Sequence, residues 1–423
     1  MSDAARGVAY TVLAAVREDD AYVNLLLPRL MGEQNLDTRD AAFATELTHG
    51  TIRWQGTYDA IVGHLAQRDL DPAVRDVLRL GCHQLLAMRV PDHAAVSTSV
   101  ALVKRVMGHK PAGFVNAILR RVAERDLTAW IDLVTAELTG DEALAVRYSH
   151  PAWVVGELRR SLLAVDASHE LEELLAADNV APKVTLVARP RLATVAELPG
   201  TPGLLSPWAV VLDGGDPGAV AAVREGRAAV QDEGSQLVVK ALVDLPLEPP
   251  RDRWLDLCAG PGGKAALLGA LAVERGARLV ANEVQPHRAE LVRQAMRALP
   301  EVEVTCHDGR EGPWEPESFD RILIDAPCTG LGALRRRPEA RWRRTPQDLA
   351  SLAPLQQALL RRGVELVRPG GVVAYATCSP SPAETLEVIE SVGRGVAVLE
   401  RVERWWPHRD GTDAMFVALL RKR

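Results

Sequence analysis

A glycine-rich segment in the second half of the chain has the residue types of a ligand-binding loop. Residues 256–264 read DLCAGPGGK, follow a short apolar run predicted as a strand, and precede a predicted helix, Ala265 to Val273. Glycines in such a turn let the backbone approach a ligand without clashes from β-carbons. The segment therefore predicts a small-molecule site at the junction of strand and helix.

Three classes of ligand use loops of this kind. A Walker phosphate loop requires glycine where Cys258 stands and serine or threonine where Ala265 stands, which disfavours a magnesium nucleotide. A dinucleotide fingerprint is formally satisfied by Gly260, Gly262 and Ala265, with Glu283 about 20 residues further on to hold ribose hydroxyls. The third candidate is S-adenosylmethionine, which has a ribose and an adenine but a cationic sulfonium and no pyrophosphate.

Four acids and a thiol follow the predicted strands of this region. The strand candidates end at Asp256, Glu283, Asp308 and Asp325, and a fifth, Val372 to Ala376, runs into Cys378. An open parallel sheet binds its ligand beyond the carboxyl ends of its strands, so these side chains are expected to converge on one crevice. Such a crevice suits a sulfonium and repels a pyrophosphate.

Within this crevice we expect Glu283 to chelate the ribose diol, Asp308 to reach the adenine, and Asp256 to lie near the amino-acid end of S-adenosylmethionine. Each acid alone is equally well explained as a cap of the helix that follows its strand. All four together favour ligand binding.

These side chains require an α/β domain to position them. From about residue 226, short apolar runs alternate with helices, which is the pattern of a parallel sheet with crossover helices. Two further strands, Val396 to Val402 and Ala414 to Leu420, are expected to close the sheet. We assign this domain to residues 226–423.

The preceding residues predict two other domains, and a length of 423 residues agrees with two or three in all. Residues 1–140 have apolar side chains at three- and four-residue spacing without a convincing strand, which predicts an all-α domain. Residues 141–225 combine a predicted helix, Glu157 to Ala177, with a predicted strand, Pro182 to Val187. They are assigned to a connecting α+β subdomain.

The composition is that of an ordinary globular protein. Hydrophobic residues make up 47% of the chain and charged residues 25%, which argues against a disordered or collagenous class. No apolar run approaches the roughly 18 residues that a membrane span needs. The apolar run Val8 to Val16 is followed by charged residues where a signal peptide needs a cleavage site, so we expect a cytoplasmic protein. The five cysteines are far apart and contain no C-x-x-C pair, so we expect neither disulfides nor a metal site.

The formal net charge of −6 conceals two basic segments. Residues 335–344 contain six arginines and one glutamate, and residues 101–121 contain five lysines and arginines and no acid. Local positive fields of this kind favour contact with phosphates, although a solvated surface has the same composition. Trp342 lies among the arginines, and we expect it to pack rather than to stack on a base.

Three motifs together resemble the RNA cytosine-5 methyltransferase family that includes the Sun/Nop2 proteins. They are the glycine loop, residues 325–332 (DAPCTGLG) and residues 375–379 (YATCS). Residues 226–236 (GRAAVQDEGSQ) resemble the family's segment just ahead of the loop. More narrowly, residues 114–121 (FVNAILRR) are similar to the NusB-like RNA-binding domain of the 16S ribosomal RNA methyltransferase B branch. The resemblance implies an N-terminal NusB-like domain and a C-terminal Rossmann-like class I methyltransferase domain.

The resemblance implies methylation of a cytosine at C5, a carbon too weakly nucleophilic to attack a sulfonium methyl directly. A thiolate that adds at C6 turns the ring into an enamine, and an acid near N3 stabilises the adduct. Spacing does not decide which thiol attacks, but in the family the Thr-Cys motif carries the nucleophile. This assigns Cys378 as nucleophile, Cys328 as the thiol that assists release, and Asp325 as the acid. A free thiol is only a few per cent ionised at neutral pH, so positive charge from Lys264 or the sulfonium is expected to lower the pKa of the nucleophile.

The predicted site residues fall into three groups. The catalytic residues are Cys378, Cys328 and Asp325. The residues predicted to bind S-adenosyl-L-methionine are Cys258, Ala259, Gly260, Pro261, Gly262, Gly263, Lys264, Glu283, Asp308 and Asp325. The residues predicted to contact RNA are Arg335, Arg336, Arg337, Arg341, Arg120 and Arg121.

By resemblance the partner is 16S ribosomal RNA, with the target cytosine unstacked in single-stranded or locally opened RNA. We expect a monomer without metal or membrane contact. Alternatives are the same reaction on transfer RNA or at another ribosomal site, a non-catalytic RNA-binding assembly factor, and a nicotinamide-dependent enzyme. The two intact motif cysteines speak against the assembly factor.

Four positions or segments depart from the family pattern. Ala265 stands where serine or threonine is usual, and Gly260 where alanine is common, but neither change removes a group that the chemistry needs. Residues 382–385 (PAET) replace Pro-Glu-Glu-Asn, which weakens the match there. Residues 413–416 (DAMF) replace Asp-Gly-Phe-Phe, so the edge of the pocket is expected to differ.

Overall fold

The computed structural model describes residues 3–247, 253–391 and 395–423. The described residues pack into two compact units. The helical unit comprises residues 3–159, Ala167–Val180 and Leu334–Arg344. The sheet unit comprises Arg160–Asp166, the described part of Ala181–Ala333, and Thr345–Arg423. Within the described ranges, no helix has the length and apolar character needed to cross a bilayer.

The chain begins with a succession of helices. They are α1 (Asp3–Glu18), α2 (Val23–Glu33), α3 (Thr38–Arg53), α4 (Gln55–Ala66), α5 (Pro72–Leu86), α6 (Asp92–Met107), α7 (Ala112–Val122), α8 (Leu127–Thr135), α9 (Gly140–Arg147), α10 (Ala152–Leu163) and α11 (Leu171–Ala177). Several of these helices have an aspartate as N-terminal cap. In α5, for example, the side chain of Asp71 accepts a hydrogen bond from the Ala73 N–H at 2.9 Å, and Pro72 is the first helical residue. The prediction of an all-α N-terminal region is confirmed.

The remaining elements alternate strands and helices. They are β1 (Thr185–Ala188), β2 (Thr201–Pro202), β3 (Ala209–Val211), α12 (Ala221–Arg224), β4 (Ala228–Val230), α13 (Glu233–Asp244), β5 (Arg253–Asp256), α14 (Gly263–Glu274), β6 (Arg278–Asn282), α15 (Pro286–Ala295), β7 (Glu303–Thr305), β8 (Phe319–Asp325), α16 (Ala340–Arg343), α17 (Pro346–Leu366), β9 (Val367–Thr377), α18 (Leu386–Glu390), β10 (Ala397–Trp405), α19 (Pro407–Asp410) and β11 (Met415–Lys422).

The sheet unit contains a seven-stranded sheet with the order β10-β11-β9-β8-β5-β6-β7. The pairs from β9 to β7 are parallel, whereas β11 pairs antiparallel with both β9 and β10. Successive residues of β8 point to opposite faces of the sheet. Leu323 belongs to the core on the face covered by α14, whereas Ile322 and Ile324 belong to the core on the face covered by α17. The predicted parallel sheet, closed by two strands from the C-terminal tail, is confirmed.

Residues 181–230 form a second, antiparallel sheet with the order β2-β3-β1-β4. Its core includes Leu186, Val210 and Ala228. The α+β character predicted for the connecting segment is confirmed. Its boundaries at residues 140 and 225 stay predictions.

The helix predicted from Glu157 to Ala177 is wrong as a single element. The structure has two helices, α10 and α11, separated by Asp166 and a short 3-10 turn, Ser168–Glu170. Asp166 has φ of 57°, in the left-handed region, where a short polar residue ends a helix at modest cost. Hydrophobic spacing alone did not reveal this break.

The arginine-rich segment Leu334–Arg344 packs within the helical unit. The Arg341 guanidinium is fully buried and donates to Ser149 O at 2.9 Å, to Asn179 Oδ1 at 2.8 Å and to Asp178 O at 3.1 Å. Burial lowers the pKa of Arg341 to about 9. The Trp342 indole N–H donates to Ile52 O at 2.7 Å, so this tryptophan packs, as predicted. Two members of the segment that were expected at an RNA surface, Arg335 and Arg341, therefore lie in the interior, whereas Arg336 and Arg337 are exposed.

We predict that Arg341→Met lowers the free energy of unfolding by about 3 kcal/mol, because it leaves the buried carbonyls of Ser149 and Asp178 and the partly buried Asn179 oxygen without their donor. Urea unfolding followed by tryptophan fluorescence measures the change. The matched control is Arg336→Met at an exposed position, with an expected change of about 0.5 kcal/mol or less. Equal losses in the two variants would contradict the interpretation of Arg341 as an internal hydrogen-bond donor.

Candidate active site

The glycine loop connects β5 to α14, as predicted. Its backbone is anchored by a hydrogen bond from Ala259 N–H to Asn282 O at 2.7 Å. Gly262 has φ of 111° and stands immediately before α14, where a side chain would be strained. A β-carbon on Gly260 would collide with the Glu283 carboxylate, so glycine at this position lets the loop lie directly against that acid.

A buried asparagine ties the neighbouring strand ends together. The Asn282 amide donates to Leu257 O at 3.1 Å and to His307 O at 3.0 Å, and its oxygen accepts from the His307 N–H and the Thr305 hydroxyl, each at 3.0 Å. These contacts join the residues that follow β5, β6 and β7. Sequence reasoning missed Asn282, although a polar residue at the end of an apolar strand was a usable signal.

The two acids predicted to hold the nucleoside occupy different environments. Glu283 is buried, accepts the Gln285 N–H at 2.9 Å, and has its second oxygen 3.6 Å from Arg288 Nε. Asp308 is partly exposed and pairs with Arg310 at 2.6 Å, and this hydrogen bonding lowers the pKa of Asp308. Both follow strands at the same edge of the sheet, β6 and β7, as predicted.

Asp256 is an acid of the site with a strongly shifted pKa. It is buried, and its Oδ1 accepts the Cys258 N–H at 3.2 Å. Burial, together with the nearby negative charge of Asp325, raises the pKa of Asp256 to about 8. Its Oδ2 has no hydrogen-bond partner among the described residues. A buried oxygen of this kind is suited to a donor or a positive charge brought by a ligand.

Lys264 and Asp325 form an ion pair at the centre of the site. Lys264 Nζ lies 2.8 Å from Asp325 Oδ2, and both side chains are largely buried. Burial alone lowers the pKa of Lys264, but attraction to Asp325 and to Cys378 outweighs it, so the pKa is raised. Lys264 therefore carries a positive charge close to Cys378, the predicted nucleophile.

The two motif cysteines lie together. Cys328 Sγ and Cys378 Sγ are 3.5 Å apart, in the segments that follow β8 and β9. The hydrogen bond with Cys378, followed by burial, raises the pKa of Cys328 well above its usual value. A raised pKa favours the protonated form of Cys328, and either sulfur can be the donor in this contact. Of the other cysteines, Cys258 is in the loop, where burial raises the pKa of its thiol.

The C-terminal tail frames this pair of thiols. Gly332 N–H donates to Cys378 O at 2.9 Å, and Gly332 O accepts the Ala414 N–H at 2.8 Å. The Asp413 N–H in turn donates to Asp232 at 3.1 Å. In the DAMF segment, Asp413 and Ala414 thus make these contacts through their backbone N–H groups. Replacing the usual side chains of the segment does not remove these backbone hydrogen bonds.

The donor set and shape of the site fit S-adenosylmethionine. The side-chain amide of Gln231 lies against Gly263 of the loop, is buried, and has no hydrogen-bond partner for its nitrogen or oxygen within the described ranges. Together with Asp256 Oδ2 it supplies buried polar atoms next to a loop that lacks β-carbons at three positions. Glu283 and Asp308 would hold the nucleoside, and Asp256 and Gln231 the amino-acid end. Gln231 lies in the segment 226–236 that resembles the family, but it was not predicted as a site residue because it carries no charge.

Comparison with known proteins agrees with this geometry. Residues 245–421 match the family described as 16S rRNA methyltransferase RsmB/F, and residues 3–124 match the NusB family. The chain is 49% identical to the putative methyltransferase MT1451 of Mycobacterium tuberculosis, over 99% of this chain and 97% of that protein. It is 30% identical to the probable ribosomal RNA small subunit methyltransferase B of Bacillus subtilis, over 99% of this chain and 98% of that one. The chain belongs to the RsmB/F methyltransferase family.

The solved structure of PH0851 has the same fold. It superimposes with a TM-score of 0.79 and covers all of both chains at 21% sequence identity. As a member of the RsmB/F family, the protein is a methyltransferase that uses S-adenosyl-L-methionine. The predictions of family, fold class and cofactor are confirmed, including the NusB domain at the N-terminus.

The raised pKa of Asp256 predicts a pH-dependent cost of folding for this RsmB/F methyltransferase. The neutral acid is favoured in the folded state, while in the unfolded chain the carboxyl ionises near pH 4. The folded state therefore loses stability as the pH rises from about 4 to about 8, and the loss levels off above that value. Asp256→Asn mimics the neutral acid. Its thermal unfolding midpoint should therefore be higher than that of the wild type, and this difference should be larger at pH 8 than at pH 5.

Thermal unfolding of the wild type and of Asp256→Asn, without cofactor, at pH 5 and at pH 8 measures the difference between their midpoints. Asp308→Asn serves as the control, because hydrogen bonding lowers the pKa of Asp308 and its replacement should bring no gain at either pH. A constant difference between Asp256→Asn and the wild type would show that Asp256 is ionised in the folded protein throughout this range.

Proposed function

We propose that the protein methylates C5 of a cytosine in 16S ribosomal RNA through a covalent bond between Cys378 and C6. The observation that carries the proposal is the 3.5 Å separation of the Cys328 and Cys378 sulfurs beside the Lys264–Asp325 ion pair. A thiol pair, an acid and a cation in one crevice are the groups that this reaction requires. The name of the B. subtilis relative, a small subunit methyltransferase, supports 16S ribosomal RNA as the substrate.

In the first step the Cys378 thiolate attacks C6, so that an S–C6 bond forms and the ring electrons move toward C5 and N3. The Lys264 ammonium stabilises this thiolate by electrostatic attraction. The Lys264 ammonium donates to Asp325, and a proton passed from Lys264 through the Asp325 carboxyl to N3 keeps the adduct neutral.

S-adenosylmethionine, when bound, supplies the methyl group that C5 acquires. The C5 proton then passes to solvent as the C5–C6 double bond re-forms. The S–C6 bond breaks, its electron pair returns to the sulfur of Cys378, and N3 gives its proton back to the Lys264–Asp325 pair. The Cys328 thiol is oriented to donate to that departing sulfur, because it already lies in hydrogen-bond contact with it. This geometry supports different roles for the two cysteines, with attack by Cys378 and assisted release by Cys328.

We predict that Cys378→Ala abolishes methyl transfer while cofactor binding, measured by calorimetry, is retained. Cys328→Ala should instead trap a protein–RNA complex that survives denaturing electrophoresis, because adduct formation proceeds but release is slowed. Incubation of each variant with 16S ribosomal RNA and methyl-labelled cofactor tests both statements. Undiminished turnover of Cys378→Ala would defeat the assignment of the nucleophile.

The same assay distinguishes the alternatives. Label in transfer RNA, or at a ribosomal position that bisulfite mapping assigns outside the small subunit, would favour a different substrate for the same chemistry. RNA binding without label in any pool would favour a non-catalytic assembly factor.

We further propose that RNA phosphates contact the exposed members of the predicted set, namely Arg336, Arg337, Arg120 and Arg121. All four are exposed in the helical unit, whereas Arg335 and Arg341 are buried. Phosphate contacts of this kind position the strand without reading its sequence.

Replacement of Arg120 and Arg121 by alanine should weaken RNA binding and reduce the slope of log K against log salt by about 1.5, because roughly 0.7 to 0.9 of a counterion is released per phosphate. The same is expected of the Arg336→Ala, Arg337→Ala double variant. Filter binding over a range of salt concentrations measures the slope.

The matched control replaces Arg29 and Arg39, two exposed arginines of the helical unit outside the predicted set. It removes the same net charge and should leave the slope close to that of the wild type. Equal slopes for all three double variants would indicate a diffuse electrostatic effect in place of specific phosphate contacts.

A further inference from the structure

Glu384 is a fully buried carboxylate in the segment that follows β9 and carries Cys378. It belongs to the PAET stretch, where it matches the second glutamate of the family's Pro-Glu-Glu-Asn, and no role was assigned to it. A charged side chain is rarely buried without partners, because its desolvation is costly. Its surroundings therefore indicate what it does.

Three donors from other segments converge on this carboxylate. The Thr329 N–H donates to Oε1 at 2.8 Å, the Thr329 hydroxyl to Oε2 at 2.5 Å, and the Gln356 amide to Oε1 at 3.1 Å. The Gln356 amide also donates to Pro327 O at 2.9 Å. Glu384 thus holds, directly or through Gln356, the residues on both sides of Cys328.

The segment that carries Glu384 is itself held in place. The Tyr375 hydroxyl donates to Glu384 O at 2.8 Å, and the Thr385 hydroxyl donates to Ser381 O at 2.8 Å. Thr329 Oγ1 lies 3.3 Å from Ser379 Oγ, next to Cys378. The loops after β8 and β9 are therefore joined by one buried polar network, and each contributes one sulfur.

We propose that Glu384 is a positioning residue that holds Cys328 against Cys378 and keeps it in the protonated form that the release step needs. The inference rests on the proposed function, in which Cys328 assists departure of the Cys378 sulfur. Glu384 acts through Thr329 and Gln356, and it does not touch the cofactor loop in any hydrogen bond of the described residues.

Charge adds to this geometry. The hydrogen bond with Cys378 and burial raise the pKa of Cys328 most, and the negative charges of Cys378, Glu384 and Asp325 raise it further. A second thiolate beside that of Cys378 would be repelled by these groups. Removal of the Glu384 charge should therefore make Cys328 easier to ionise and loosen its loop.

The test compares Glu384→Gln with the wild type in two readouts. The first is alkylation of Cys328 by iodoacetamide in the protein without RNA, followed by peptide mass spectrometry. We expect an increase of about tenfold in rate at neutral pH, which corresponds to a fall of about one unit in the pKa of the thiol. The second is the lifetime of the covalent protein–RNA complex, which should lengthen while single-turnover methyl transfer changes little.

The control is Glu387→Gln, an exposed glutamate three residues further along the chain, which should leave both readouts unchanged. Thr329→Val is the second variant: it retains the carboxylate and removes one of its donors. It is expected to lengthen the lifetime of the complex with a smaller effect on alkylation. It also serves as the test if Glu384→Gln fails to fold, as judged by circular dichroism and cofactor binding.

Unchanged alkylation of Cys328 and an unchanged lifetime in either folded variant would overturn the positioning role. Failure of the proposed function has a different signature, because the wild type itself would then form no covalent complex with RNA. Alkylation needs no RNA, so in that case it alone decides whether Glu384 controls the Cys328 thiol.

Discussion

The ion pair between Lys264 and Asp325 is the interaction on which the site depends. Lys264 extends from the first turn of α14 and Asp325 ends β8, so the pair ties the glycine loop to the strand that leads to Cys328. It also brings a positive charge into a region where Asp256, Glu283 and two thiols are buried or nearly so. Without that charge, negative groups at such spacing would repel one another more strongly.

Burial, together with the pairing of Lys264 with Asp325, explains why the pKa of Asp256 is raised. Lys264 is engaged by Asp325, so Asp256 is left with one N–H donor and its raised pKa. An acid in this condition gains from any positive charge that enters the crevice. A cationic cofactor is therefore matched to this particular imbalance, whereas an anionic pyrophosphate would increase it.

Much of this arrangement was predictable because it follows from general rules of chain geometry. Strand ends in a parallel sheet meet at one edge, so Asp256, Glu283, Asp308, Asp325 and Cys378 had to converge once their strands were identified. The glycine spacing and the motif cysteines then limited the chemistry. The antiparallel tail was also visible as two apolar runs.

The residues that the sequence did not reveal are polar and work through partners distant in the chain. Asn282 and Glu384 matter because of hydrogen bonds to segments about 25 and 55 residues away. Arg341 was expected at the surface from its arginine neighbours, yet its guanidinium satisfies backbone carbonyls inside the helical unit. Local composition indicates charge, but only the folded chain determines whether a charged group meets solvent, ligand or protein.

The buried polar networks also bear on the different roles proposed for the two thiols. Two cysteines at 3.5 Å are chemically alike, and nothing in a Pro-Cys or Thr-Cys dipeptide makes one of them the better nucleophile. Their surroundings differ in one respect: Glu384 holds the residues on both sides of Cys328, Thr329 directly and Pro327 through Gln356. Under the proposed mechanism, the negative charge of Glu384 behind Cys328 favours a thiolate on Cys378 over one on Cys328. The asymmetry is thus a property of the residues behind the sulfurs, and it would persist through each turnover because those residues are not consumed.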